Sequence, residues 1–406
     1  MSTIFLIIIY LAFISLGLPD SLLGAAWPVM QIQYGASFEA AGFVSIMISG
    51  STIISSLLSG KIIKRFGTGK ITFISCLMTA AALLGFSVSP SLFWLFVLAI
   101  PLGLGAGAVD SGLNNYVALH YKAHHMSWLH CFWGVGATIG PLIMSQYISK
   151  GSSWRMGYFT VSMIQVVLVV LLFITLPLWD QAAKTLKNQS VDSELVNKIA
   201  QSDLSDNNLK KVHPIHIKGA KLALASFFFY CGIEATMGLW GSSFLVNIKG
   251  LDVATAAKWV ATYYAGITIG RFVTGFITMK LSNKIIIRIG QSITLVGGIL
   301  LLLPLPTVFS LISFIMIGLG CAPVFPCMIH ETPARFGKEH SQTIIGYQMA
   351  FAYIGITFLP PLLGLIAAQT TISIFPFFAL FYIGAMLVAS ERINSLMKNT
   401  PLLRRG

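Results

Sequence analysis

Four ionisable residues lie inside long apolar runs of this sequence, where a charge is costly and usually serves a purpose. Asp20 follows Pro19 in the first run, Asp110 lies midway along the fourth, Glu234 lies in the seventh and Arg271 in the eighth. A carboxylate in a cavity of low dielectric constant can bind and release a proton near the working pH. A carboxylate beside an arginine can instead form a buried pair that serves packing alone. Both interpretations stay open for these acids.

Amide, hydroxyl and aromatic side chains surround these acids at helical spacing. Asn114 follows Asp110 by four residues and so shares its helix face, while His130 and Trp133 are three apart in the fifth run. Such groups suit a sugar, whose hydroxyls need donors and acceptors and whose C–H faces stack on aromatic rings. Ordinary packing is the alternative for each aromatic residue taken singly. We predict proton-coupling roles for Asp20, Asp110 and Glu234, and substrate-binding roles for Trp27, Asn114, Asn115, His130, Trp133, Tyr230, Glu234, Arg271 and Gln348.

The elements that must position these residues are apolar helices. Hydrophobic residues make up 56% of the 406 residues and charged residues only 10%, against roughly a quarter in soluble domains. Most of the apolar runs can cross a hydrocarbon core about 30 Å thick as a helix, and they lack the alternation of barrel strands. We predict an all-α membrane protein with twelve transmembrane helices, at residues 4–30, 38–60, 69–89, 92–120, 127–149, 154–179, 219–247, 254–279, 284–303, 307–331, 340–369 and 371–390.

The predicted spans form two groups of six around a polar stretch. We predict an N-terminal six-helix bundle at 1–179, a cytoplasmic linker at 180–218, and a C-terminal six-helix bundle at 219–406 with a short cytoplasmic tail. Pseudo-symmetric halves of this kind hold their substrate between them near the middle of the membrane. The repeat is visible at a single offset of 215 residues, which places Gly60 on Gly275, Gly103 on Gly318, Gly105 on Gly320 and Gly140 on Gly355.

The distribution of basic residues predicts the orientation. If both termini are cytoplasmic, the inner loops and the tail hold 21 of the 26 Lys and Arg residues and the outer loops hold four. Basic loops stay on the cytoplasmic side, so we expect a multi-pass protein of the cell membrane. The same asymmetry explains the net charge of +13 without a nucleic-acid partner.

The loop after the second span carries a recognisable motif. In the segment GKIIKRFGTGK, the residues Gly60, Arg65, Gly67 and Lys70 match the signature G-x-x-x-D-R-x-G-R-K of the major facilitator superfamily, and Lys64 stands where an acidic residue is usual. The whole chain resembles that superfamily. The resemblance implies two rocking bundles that move a small solute, with Gly60, Arg65 and Gly67 in gating or structural roles.

Within that superfamily, the chain resembles the fucose:proton symporter family. That family has an Asp in the first span and an acidic residue in the fourth, followed four residues later by Asn, and Asp20 and the pair Asp110 and Asn114 stand at the matching places. The resemblance implies proton-coupled uptake of a sugar or a related polar solute. His130 stands where an uncharged amide is expected, so fucose itself is not implied.

A second motif keeps another transport class open. Gly136, Gly140 and Pro141 in the fifth span are similar to a motif of proton-driven drug exporters, which predicts an antiporter of amphipathic compounds. Close helix packing and a bend explain the same residues, and Gly355 with the prolines beyond it repeats the pattern in the second half. We predict gating or structural roles for Gly136, Gly140, Pro141 and Gly355. A receptor or scaffold that keeps the fold without transport is a third possibility.

Several other classes of function lack support in the sequence. There is no GxxxxGK[ST] motif for a nucleotide and no nucleophile motif, so we predict no enzyme activity and no cofactor. The histidines His120, His124 and His125 could form a metal or pH-sensing site, but solvated or headgroup-contacting side chains are the simpler interpretation, as for His213 and His216. We expect a monomer whose partners are a small solute, protons and the lipid bilayer.

Overall fold

The computed structural model describes residues 3–121, 123–151, 153–200 and 217–398. Some side chains within these helices are also outside the description, including all those from 180 to 200. Much of the predicted linker and the predicted tail therefore cannot be compared with the prediction. The predictions made for Lys64, Asn115, His120, His124, His213 and His216 also concern side chains that lie outside the described residues.

Seven helices make up the first half. The first predicted span is divided into α1 (Thr3–Asp20) and α2 (Leu22–Tyr34), and the others are α3 (Ala40–Phe66), α4 (Thr68–Val88), α5 (Leu92–His120), α6 (Ala123–Ser149) and α7 (Trp154–Ala200). The helix α7 continues beyond its predicted end at residue 179 into the stretch predicted to be a linker. The other predicted ends agree to within about six residues.

Seven helices also make up the second half. Its helices are α8 (Ala220–Asn247), α9 (Val253–Ile277), α10 (Asn283–Leu302), α11 (Val308–Cys321), α12 (Val324–Phe336), α13 (Lys338–Gln369) and α14 (Phe375–Lys398), with a 3-10 turn at Ile372–Ile374. The tenth predicted span is divided between α11 and α12 at Pro323, which cannot donate a backbone hydrogen bond. The described residues form no strand. The predicted all-α fold with twelve membrane spans is confirmed.

Apolar side chains face outward along the helices, as a bilayer requires. Leu57, Phe173 and Phe381 are 78%, 61% and 62% exposed on the outer surface of the bundle. Within the described ranges, ten spans are long and apolar enough to cross a membrane. The two remaining spans, α6 and α9, carry more polar residues, and they pack extensively against each other.

Glycine contacts reproduce the repeat between the halves in three dimensions. A side chain at Gly103 would overlap the carbonyl oxygen of Ile48, and one at Gly318 would overlap that of Tyr263. Ile48 and Tyr263 are separated by the same 215 residues as the two glycines. The glycines therefore allow equivalent helices, α3 with α5 and α9 with α11, to approach backbone to backbone in each half.

The buried apolar side chains show where the halves join. We name the end of the bundle that holds the connection between α7 and α8 the linker end. One large cluster contains residues of both halves, among them Trp27, Trp154, Trp240 and Phe375, and these lie toward the opposite end. The linker end instead has two separate clusters, one in each half. The halves are thus packed together away from the linker end.

Candidate functional site

The first span breaks beside its carboxylate. Asp20 is the last residue of α1, and Ser21 separates it from α2. The Asp20 side chain is exposed although it lies deep within the span, so water-accessible space reaches it. A charged group at this depth is tolerated where it faces a polar cavity.

Two prolines leave backbone carbonyls without helical donors next to this break, and side chains from elsewhere in the fold donate hydrogen bonds to them. Pro19 cannot donate to the carbonyl of Ser15, which accepts a hydrogen bond from Gln165 Nε2 at 2.8 Å instead. Pro141 leaves the carbonyl of Ala137 free in the same way, and Ser21 Oγ donates to it at 2.8 Å. These hydrogen bonds tie α1 to α7 and the break after Asp20 to α6.

Trp133 of α6 connects Asp20 to the second half. Its indole Nε1 donates to Asp20 Oδ2 at 2.7 Å. The guanidinium carbon of Arg271, on α9, lies 5.0 Å from the centre of a Trp133 ring, which is a cation–π geometry. Asp20 of the first half and Arg271 of the second half therefore both contact the indole of Trp133.

Arg271 is buried but loosely bound. It is 8% exposed, and its NH2 lies 3.5 Å from Glu234 Oε1 and 3.4 Å from the Tyr230 hydroxyl. Its NH1 lies 3.5 Å from the backbone carbonyl of His130, and its Nε has no hydrogen-bond partner. Hydrogen bonds from guanidinium to oxygen are normally about 2.7–2.9 Å long. The guanidinium can therefore donate further hydrogen bonds to a polar solute.

Asp110 is held from both halves. Asn114, one turn further along α5, donates to Asp110 Oδ1 at 2.8 Å. Tyr353 of α13 donates from its hydroxyl to Asp110 Oδ2 at 2.6 Å. Both carboxylate oxygens thus accept a hydrogen bond, one from the same helix and one from the other half.

Contacts between the halves leave the site accessible from the linker end. Away from that end, the ring of Phe38 stacks on Trp240 with centroids 4.6 Å apart, and Ser145 Oγ donates to the carbonyl of Ala254 at 2.7 Å. At mid-depth the halves meet through Arg271 and Tyr353. The apolar clusters at the linker end are separate. We therefore infer that this is the side from which the exposed Asp20 is accessible.

Other predicted site residues lie outside this central group. Trp27 is fully buried where α2 packs on α8, and its indole nitrogen has no partner. Gln348 is 1% exposed and accepts a hydrogen bond from Thr332 at 3.0 Å within the second half. Both side chains are buried, and their substrate-binding roles stay predictions.

The predicted gating residues fall into two groups. Side chains at Gly136 and Gly140 would overlap or crowd the carbonyls of Ile14 and Leu18, and one at Gly355 would overlap that of Phe228, so these three glycines serve close packing of helices. Gly60 and Gly67 lie at the linker end with open space around them, and the exposed Arg65 lies over the ring of Phe66. Gly67 has φ +84° and ψ 153°, a backbone conformation that only glycine adopts readily.

His125 differs from the prediction that it is a solvated side chain. The Tyr10 hydroxyl lies 3.0 Å from His125 Nδ1, and the rings of Tyr121 and Trp128 contact the imidazole edge to face. His125 is therefore packed within the first half. All five cysteines are unpaired, and four of them are buried.

Three residues near the acids were not predicted from the sequence. Ser21 and Gln165 donate to backbone carbonyls beside the break after Asp20, and Tyr353 donates to Asp110. A proline within a membrane span frees the carbonyl four residues earlier, so Pro19 and Pro141 signalled that donors were needed. The sequence does not say which side chain supplies the donor. Tyr353 lies 243 residues from Asp110, and no local pattern relates the two.

Comparison with known proteins gives the family. The chain matches the family profile described as Major Facilitator Superfamily over residues 9–214 and 222–396. It is 25% identical over 279 residues to Bypass of stop codon protein 6 of Saccharomyces cerevisiae, covering 66% of this chain and 56% of the yeast protein, and thus little more than half of that relative's length. Two similar bacterial proteins are named as sugar transporters.

The first of these is the glucose/mannose transporter GlcP of Bacillus subtilis, 24% identical over 293 residues, or 71% of this chain and 67% of that protein. The second is a putative glucose/galactose transporter of Helicobacter pylori, 22% identical and covering 87% and 86% of the two chains. The crystal structure of a D-xylose-proton symporter superposes with a TM-score of 0.73 at 15% identity, covering 97% and 98% of the chains, and so shares the fold. The chain belongs to the major facilitator superfamily of membrane transporters.

Proposed function

We propose that the chain is a proton-coupled symporter that carries a sugar or a related small polar solute by alternating access. The observation that supports this most directly is the pair of carboxylates at mid-depth between the halves. Asp110 accepts a hydrogen bond from Tyr353 of the second half. Asp20 accepts one from Trp133 of its own half, whose ring lies against Arg271 of the second half. Both acids are therefore connected to groups that must move when the halves rock. A proton on either acid changes these contacts.

The polar groups beside the acids suit a hydroxylated solute. Arg271, Glu234 and Tyr230 together offer donors and acceptors that are only loosely engaged with each other. Sugar hydroxyls can bridge such a pair, because each hydroxyl both donates and accepts. The names of the two bacterial relatives point to the same class of solute. The finer resemblance to the fucose:proton symporter family is part of this proposal.

The orientation and cellular setting complete the proposal. Both termini and the linker lie on the cytoplasmic side of the cell membrane, as the basic loops indicate. The structure is then accessible from the cytoplasm and closed toward the outside. We expect a monomer to be sufficient, because the carboxylates and the arginine of the site all come from one chain. The bundles span 1–179 and 219–406, with the linker between them.

The antiporter alternative gains no support from its motif. Gly136 and Gly140 of that motif lie against the backbone of α1, and Pro141 frees a carbonyl that Ser21 fills. Helix packing and the hydrogen bond from Ser21 account for all three residues. We therefore keep symport as the function and treat export as an outcome of the test.

Uptake into proteoliposomes with an imposed pH gradient tests the proposal. Purified full-length protein is reconstituted and supplied with radiolabelled glucose, mannose, galactose, xylose or fucose. An inward proton gradient should drive accumulation of at least one sugar. Asp110→Asn should abolish accumulation but retain exchange of that sugar, because exchange needs no net proton movement.

The controls separate coupling from damage to the fold. Ser49→Ala removes a buried hydroxyl that bonds only within its own helix, at 2.8 Å to the carbonyl of Ser45, and should leave uptake unchanged. Movement of a cationic dye against the proton gradient, with no response to any sugar, would overturn symport in favour of export. Gradient-driven uptake that persists in both Asp20→Asn and Asp110→Asn would show that these acids do not carry the proton.

A further inference from the structure

Tyr353 makes a hydrogen bond between the halves that depends on a charge. Its hydroxyl donates to Asp110 Oδ2 at 2.6 Å, while Asn114 donates to Oδ1. A hydrogen bond to an ionised acceptor is short and about twice as strong as one between neutral groups. The contact between Tyr353 and Asp110 therefore loses much of its strength when the carboxylate is protonated.

The position of this contact along α13 allows it to control the opening of the site. Further along α13, Pro361 packs against Gly42 of α3 away from the linker end. Tyr353 precedes Pro361 by eight residues, which is about 12 Å of helix toward the linker end. The hydrogen bond thus lies between the closed end of the protein and the accessible cleft, where α13 must separate from the first half when the protein changes state.

Few titratable groups act on this carboxylate. Tyr353 contacts it from α13, and the charge of Asp20 on α1 acts on the same site. Ser56 of α3 and Cys231 of α8 face Tyr353 from neighbouring helices. Among the described residues, Tyr353 and Asn114 are the side chains that hydrogen-bond the Asp110 carboxylate.

We propose that Tyr353 is a positioning residue that ties α13 to ionised Asp110, and that a proton arriving on Asp110 releases this tie. The inference rests on the proposed function in one respect, namely that Asp110 takes up the transported proton. The covalent structure does not change. The proton enters from the accessible cleft, occupies one carboxylate oxygen and leaves the tyrosine with a neutral acceptor. Release of α13 is then linked to proton binding before the halves rock.

The distance between the halves as a function of pH tests the tie without any substrate. Keto-amino acids placed at the exposed positions Lys61 and Lys280, one at the linker end of each half, accept spin labels and leave the native cysteines intact. In the full chain reconstituted in nanodiscs, the distance distribution should shift between pH 8 and pH 5.5. Asp110→Asn should abolish that response.

Two changes at Tyr353 should move the midpoint of the response in opposite directions. Tyr353→Phe removes a donor that favours the ionised carboxylate, so the midpoint should rise by about one pH unit. Replacing Tyr353 with 3-fluorotyrosine, a stronger donor of nearly the same size that retains its phenolic proton better across this pH range, should lower the midpoint. This second variant keeps the test valid if the phenylalanine variant folds poorly.

A matched control and the transport assay distinguish failure of the Tyr353 proposal from failure of the proposed transport function. Tyr382→Phe removes a buried hydroxyl that bonds the carbonyl of Leu359 within the second half and should leave the midpoint unchanged. An unchanged midpoint in both Tyr353 variants overturns the tie, even where sugar uptake proves to be proton-driven. A shifted midpoint in a protein that moves no sugar supports the tie and overturns the proposed solute.

Discussion

The hydrogen bond from Ser21 to the carbonyl of Ala137 predicts a measurable dependence between two substitutions on different helices. Ser21 is fully buried and its Oγ lies 2.8 Å from that carbonyl, which has lost its helical partner because residue 141 is proline. Ser21→Ala therefore leaves a buried carbonyl without a donor. Such a group costs about 1–3 kcal/mol, whereas hydrogen bonds between membrane helices contribute about 0.6 kcal/mol on average. We expect Ser21→Ala to lower the free energy of unfolding by about 1.5 kcal/mol.

The same substitution should cost much less when the proline is absent. Pro141→Ala restores a backbone N–H that can donate to the Ala137 carbonyl along the helix. In that background Ser21→Ala should cost about 0.5 kcal/mol, because the carbonyl keeps a partner. The interaction energy between the two positions is then about 1 kcal/mol, above the error expected for independent sites.

Reversible unfolding of the purified protein in mixed detergent and SDS micelles, followed by far-ultraviolet circular dichroism, gives these free energies. Ser49→Ala is the matched control, because Ser49 is also buried and bonds a carbonyl of its own helix that keeps its regular partner. It should change the free energy by less than about 0.5 kcal/mol. An equal cost of Ser21→Ala with and without Pro141 would refute the argument that the proline creates the need for the hydroxyl.

Three further predictions use the same unfolding measurement. Arg271→Ala should lower the free energy of unfolding by about 3 kcal/mol, because it leaves the Glu234 carboxylate buried without a cation. Adding Glu234→Ala should recover most of that loss, and no recovery would contradict the pairing. Gly318→Ala should cost about 1–3 kcal/mol because the new methyl overlaps a carbonyl of α9, whereas Gly275→Ala, in open space, should cost nothing, and equal effects would contradict the close approach. Asp252 accepts a hydrogen bond from the first turn of α9, which lowers the pKa of its carboxyl, so Asp252→Ala should cost about 1 kcal/mol at pH 7. Because that pKa is lowered in the folded state, the difference should shrink as the pH falls below about 4, and a constant difference would exclude this origin.

The spans could be predicted from the sequence because the bilayer imposes a one-dimensional constraint on length and polarity. The breaks within spans were harder to predict. The first span is interrupted at Ser21 and the tenth at Pro323, yet hydropathy alone reads each as a continuous run. Similarly, helical spacing shows which side chains share one face of a helix, but it does not show which neighbouring helix packs against that face. Trp27 was predicted to line the site from its spacing to Asp20, and its side chain is fully buried where α2 packs on α8.

The two helices with the weakest membrane signal, α6 and α9, carry one part of the site, and the cause is physical. Outside α6 and α9, every span has a stretch of 18 described residues apolar enough to be counted as a membrane span. A helix can retain His130 or Arg271 at mid-depth only if another helix shields the polar group from lipid. The two helices meet that condition together, since Gly134 lies against Thr268 and Trp133 against Arg271. A span of low hydropathy such as α6 therefore packs against another span of low hydropathy, here α9. In a pseudo-symmetric transporter the seam between two such spans is where a polar solute can be held.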